Sequence, residues 1–200
     1  MNDDGFREPR SLGLRLWHWL NAAMILGLLG TVLLRKTLLS WRDNAALIEA
    51  KLREAGIVIT PELAKGIAIE IRNPLWQWHV YFGYALGALL LGRVLVALRV
   101  VKQPARDRPR SMHDRLVKLG YLALYTATLL MVVSGGLLAF KSGLGLSPDI
   151  AARVKAMHEL MQWFFVLFVG AHLMGVLIAE NGPNAGMVSR MIHGGGPDKN

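Results

Sequence analysis

Cysteine is absent from all 200 residues. That absence excludes disulfides, thiolate metal sites, iron–sulfur clusters and the C-x-x-C-H attachment of a c-type haem. The zinc-protease pattern H-E-x-x-H is missing too, because the fifth position of "HELMQ" is Gln162 rather than histidine. Acidic residues are scarce inside the apolar segments. Glu159 and Glu180 both stand near segment ends, so no membrane-buried carboxylate suits a proton relay. No internal repeat or low-complexity segment stands out. The net charge of +9 calls for no nucleic acid; a basic rim facing membrane lipid is its ordinary origin.

What the chain does have is apolar length. Hydrophobic residues make up 53% of it, and the mean hydropathy of +0.35 is too high for an ordinary soluble domain. Four runs, 16–34, 74–98, 116–140 and 157–179, are each long enough to cross about 30 Å of hydrocarbon. The expected fold is an all-α integral membrane protein: one domain over 1–200, built as a four-transmembrane-helix bundle. The first run follows a basic segment with Arg7, Arg10 and Arg15, as a signal peptide would. "GTVLLRKTLL" offers no A-x-A cleavage site, however, and the run reads as a retained anchor.

Loop charge sets the orientation. With the N-terminus inside, "RVVKQPARDRPRSMHDRLVK" (99–118) places seven Lys and Arg in twenty cytoplasmic residues; the outer segment 35–73 spreads seven over thirty-nine. The expectation is an N-in, C-in protein of the bacterial cytoplasmic membrane. The outer loop 36–73 is too long for a bare connector. "SWRDNAALIEAKLREAG" is amphipathic and stops at Gly56, and "TPELAKGIAIEIRN" opens with Thr60 as N-cap and Pro61 at the first helical position. These stretches lie on the outer membrane surface, face a partner, or simply cap the bundle. Trp17 and Trp19, then Trp76, Trp78 and Tyr81, mark interfacial belts. The ending reads as a short interfacial segment followed by a mobile Gly-rich tail.

Histidine is the residue that stands out. His113, in the basic loop, and His193, in the tail, are explained by solvent. His18, His79, His158 and His172 lie inside apolar runs, where imidazole is costly and points to function. In "MHELMQWFFVLFVGAH" His158 and His172 are fourteen residues apart. Fourteen helical residues turn about 1400°, leaving the two about 40° apart in phase and about 21 Å apart along the axis. Because the helices alternate in direction, His79 shares the outer level with His158, and His18 shares the inner level with His172. This pairing survives inversion of the topology. Two facing imidazoles on separate helices can bind one iron axially, so two pairs suggest two haem b groups stacked through the bundle.

Arg93 repeats the spacing, fourteen residues after His79. It falls at the inner level, where it pairs with an inner-haem propionate or snorkels to the headgroups. Gly83 and Gly87 follow His79 by successive turns and would relieve a flat macrocycle. Gly135 and Gly136 read as helix-packing residues. The third run carries no histidine or acid and reads as scaffold.

"RLWHWLNA", "WHVYFGYALGALLLGRVLVALR", "MHELMQWFFVLFVGAH" and "SRMIHGG" resemble the bacterial cytochrome b561 family, which includes the cytochrome b subunits of nickel–iron hydrogenases and the membrane subunit of formate dehydrogenase. The resemblance covers nearly the whole chain. It implies axial ligands at His18, His79, His158 and His172, and electron exchange with a membrane quinone. The long outer loop departs from the pattern. The leading expectation is a dihaem cytochrome subunit of a respiratory oxidoreductase. It would pass electrons between quinone and an outer-side redox partner (a hydrogenase, dehydrogenase or c-type cytochrome). The alternatives are a stand-alone quinone-linked superoxide oxidase and a non-redox membrane anchor.

Overall fold

A computed structural model of the chain describes residues 11–100, 112–182 and 185–194. Those residues form six helices: α1 (Leu12–Lys36), α2 (Trp41–Glu54), α3 (Pro61–Val100), α4 (Met112–Ala139), α5 (Pro148–Glu180) and α6 (Met187–His193). No strand occurs among the described residues. Four helices are long and apolar enough to cross a membrane: Leu12–Lys36, Pro61–Arg99, Lys118–Ala139 and Pro148–Glu180. The N-terminal basic segment, most of the basic loop 99–118 and the Gly-rich end lie wholly or partly outside the described residues. His113 sits in the first turn of α4 rather than in the loop before it.

All four spanning helices start earlier than their hydropathy suggests, α3 and α5 by the most. The second was expected to open at Pro74, yet Pro74 is internal to a 40-residue helix. Such a helix is about 60 Å long, twice the hydrocarbon core, so its first turns extend beyond the lipid. An internal proline forfeits one helix hydrogen bond, and packing of the flanking turns compensates for it. Here Ala64 and Ala68 are fully buried, α2 packs along α3, and Lys65 Nζ lies 5.1 Å from the centre of the Trp41 ring. Thr60 does cap this helix, its Oγ1 accepting from Leu63 N at 3.2 Å. The last span begins at Pro148 instead of 157 because Ser147 caps it, accepting from Ile150 N at 3.4 Å, with Pro148 at the first position. Gly56 takes φ +77° after α2, as a helix-stopping glycine does.

Few side chains are buried, since lipid covers the outer faces of such a bundle. The buried apolar residues within it are Leu86, Leu90, Ala127 and Phe165, joined by Thr31, Thr128 and Ser134. Lipid is as apolar as leucine, so close approach and polar contacts, more than apolar burial, hold the helices together. A Cβ on Gly27 would stand 3.0 Å from the Phe82 ring, and one on Gly87 would stand 3.1 Å from Val132. Helix α1 packs on α3, α3 on α4 and α4 on α5, whereas α1 barely touches α5.

Candidate functional site

Helix α5 carries His158 and His172, with Phe165 midway between them and 4% exposed. Successive steps of seven residues return to nearly the same helical face. The three side chains therefore lie along one face of α5, with an imidazole at each end and a buried aromatic ring between.

At one end His158 meets His79 of α3, ring centres 6.4 Å apart and planes at 73°. Hydroxyls sit against both rings. Thr31 Oγ1 lies 2.7 Å from His79 Nδ1, and Ser134 Oγ lies 2.8 Å from His158 Nδ1. Trp76 stacks on His79 at 5.0 Å, its plane only 4° away. The Arg35 guanidinium in turn lies 4.8 Å from the Trp76 ring. Trp76 thus contacts the histidine in addition to any role in an interfacial belt. Gly135 is closer to the site than its reading as a packing residue implied: a Cβ there would stand 3.3 Å from His158 Cε1. Gly83 faces open space and Gly87 faces Val132, so only Gly83 leaves room of the kind a macrocycle needs.

At the other end His172 meets His18 of α1, ring centres 6.0 Å apart and planes at 54°. Phe168 stacks on His172 at 6.4 Å and 2°. Arg93 reaches this level from α3. Its Nε donates to Tyr125 Oη at 3.3 Å, and its guanidinium lies 5.5 Å from the Trp17 ring, beside His18. Helix α6 closes the same end. Trp19 Nε1 donates to the Met191 carbonyl at 3.0 Å, the Arg15 guanidinium donates to the Ile192 carbonyl, and Glu180 accepts from Gly186 N at 2.9 Å. His193, the last residue of α6, is exposed.

Metal–nitrogen bonds of about 2 Å, plus about 1 Å from nitrogen to ring centre, put two imidazoles on one metal about 6 Å apart. Both pairs meet that requirement. Trp17 Nε1 and Arg15 Nε are buried donors without a partner at the His18–His172 end, which suits a group bringing carboxylates there. Among the described residues no cluster of three or more His, Asp or Glu could hold a metal ion. The two facing pairs are donor sets of the two-imidazole kind that haem takes.

A membrane bundle with imidazoles facing one another at two levels has the frame of a b-type cytochrome. The model of the prokaryotic cytochrome b561 family matches residues 10–194, and the chain belongs to that family. It is a membrane b-type cytochrome of electron transfer, and the family binds haem b. No curated protein and no solved structure matches it.

Proposed function

We propose that the chain is a dihaem cytochrome b that passes electrons across the bacterial cytoplasmic membrane, N- and C-termini inside, between an outer-side redox partner and the quinone pool. The observation that carries this reading is the two imidazole pairs, ring centres 6.4 and 6.0 Å apart, at opposite ends of one bundle. His79 and His158 would hold the outer haem, and His18 and His172 the inner one. Bound haem supplies a one-electron ferric–ferrous couple whose potential follows from its axial ligands and nearby charge. Phe165, buried midway between the two levels, puts an apolar ring between them. An electron moving inward against a negative interior climbs about 2.3 kcal/mol per 100 mV, which the donor-to-quinone potential difference has to cover. On this reading quinone would dock at the inner end, near His18, Asn21 and His172.

The test uses the purified protein in vesicles with quinone in the bilayer. A membrane-impermeant reductant added outside should reduce the quinone at a rate that depends on both histidine pairs. Reduction equal to that in protein-free vesicles would overturn the proposal. A second reading, a stand-alone superoxide oxidase, draws on Arg35, whose cation stacks on Trp76 two rings from the outer iron site. A basic outer mouth steers anions. Consumption of superoxide by the isolated protein with quinone, and no demand for a partner, would favour it.

Arg93 carries the next expectation. If it pairs with an inner-haem propionate, Arg93→Leu removes a cation beside the inner iron. Ferric iron bears one more positive charge than ferrous, so losing the cation favours the ferric state and lowers the inner potential. Arg93→Lys keeps the charge without the planar fork and should fall between. The outer haem, about 20 Å away by helix rise, should hardly respond. A redox titration of the three proteins decides it, and equal inner potentials would reduce Arg93 to its contacts with Tyr125 and Trp17.

A further inference from the structure

Among the described residues, four hydroxyl side chains donate to carbonyls three or four positions earlier in the chain: Thr37, the C-cap of α1, to Leu33 at 2.8 Å, Thr128 to Leu124 at 2.8 Å, Thr31 to Leu28 at 2.7 Å and Ser134 to Leu130 at 2.6 Å. That is the ordinary resting place of Ser and Thr in an apolar helix. Thr31 and Ser134 do something more. Each also lies within hydrogen-bond distance of Nδ1 of an outer-level histidine, at 2.7 and 2.8 Å. Both are buried, at 7% and 1% exposure. One sits on α1, and the other on α4, the helix that read as scaffold.

We infer that Thr31 and Ser134 are positioning residues of the outer haem site, accepting the Nδ1 protons of His79 and His158 and thereby turning Nε2 of each ring toward iron. The inference rests on the ligand roles proposed above. A hydroxyl has one proton to give. With the Leu28 and Leu130 carbonyls at 2.7 and 2.6 Å ready to take it, each oxygen turns its lone pairs to the ring. The ring nitrogen must then be the donor, which leaves the lone pair on the other nitrogen, the one a metal takes. Every polar atom in the arrangement is satisfied, as burial in lipid demands. The same construction occurs twice, from two different helices, at one level of the bundle.

Such a bond also shifts electron density toward the ligand nitrogen. A more basic imidazole favours the ferric state, so both hydroxyls hold the outer potential down. The inner level has no counterpart: among the described residues neither His18 nor His172 carries a hydrogen bond. The two haems are therefore set apart in potential by two hydroxyls placed at one of them only.

The experiment is a spectroscopic redox titration of the purified full-length holoprotein, with the outer haem identified as the one missing from His79→Ala. Thr31→Val and Ser134→Ala should each raise the ferrous-to-ferric ratio of the outer haem about three- to tenfold at fixed ambient potential. For a one-electron couple that corresponds to a midpoint shift of about 30–60 mV. The inner haem should keep its midpoint. Thr31→Ser, which retains the oxygen, should restore the wild-type value. Thr128→Val should change nothing, since that hydroxyl touches only its own helix. If Thr31→Val purifies without the outer haem, Thr31→Ser retaining it carries the same meaning. Unchanged midpoints and haem content in both Thr31→Val and Ser134→Ala would overturn the inference, as would equal shifts in both haems. Thr31→Ser failing alongside Thr31→Val would assign the effect to packing and overturn it too. A wild-type protein with one haem or none, or a His79→Ala protein missing neither, contradicts the ligand roles instead.

Discussion

His158→Ala and His172→Ala should each remove one haem and leave the other in place, although both residues lie on α5. Each replaces an axial nitrogen with a methyl group, and iron held from one side only is bound far more weakly. Loss of a supporting partner alone typically costs about 10–100-fold in metal affinity, and loss of the ligand should cost more. The pairing makes the double variants informative. His79→Ala with His158→Ala should cost no more haem than either alone, because both act on the outer group. His158→Ala with His172→Ala should leave none. Difference spectra and haem-to-protein ratios of the purified variants check this. If the His79/His158 double variant lost both haems while the single variants kept one each, the assignment by levels would be wrong.

Gly135→Leu should eliminate the outer haem while sparing the inner one. A Cβ at that position already stands 3.3 Å from His158 Cε1, and the branches of leucine extend past it into the ring's place. The ring cannot retreat without stretching its 2.8 Å contact with Ser134. Gly135→Ala, which asks for a shift of only a few tenths of an ångström, should retain the haem with an altered spectrum. Gly136→Leu is the control, because a Cβ there meets nothing within 4 Å. Equal loss in the two leucine variants would show a general packing defect in α4 and contradict a local role for Gly135.

The four histidines within the apolar runs were legible because imidazole has no business there unless something repays its desolvation, and helix spacing sorted them into the two pairs that the structure brings face to face. The level of Arg93 followed from the same arithmetic, and the structure sets it beside Trp17. Helix limits were harder to read. Hydropathy marks where lipid begins, not where the helix does, so the charged turns before Pro74 and the capped turns after Ser147 were missed. The Ser147–Pro148 pair was the overlooked signal. Thr31, Ser134 and Gly135 were beyond reach for a different reason. A hydroxyl in a membrane helix is satisfied by its own backbone and a glycine by helix packing, so neither residue type announces a neighbour. Only the placement of α1 and α4 against the histidine-bearing helices brings them to the rings.

The most direct test of the central claim is the haem-to-protein ratio of the purified wild-type chain, combined with acid–acetone extraction. The account predicts two b-type haems per chain, all extractable because no cysteine exists to attach them. A ratio of one haem per chain would contradict the two-level arrangement, and a chain purified without pigment would contradict the electron-transfer function itself.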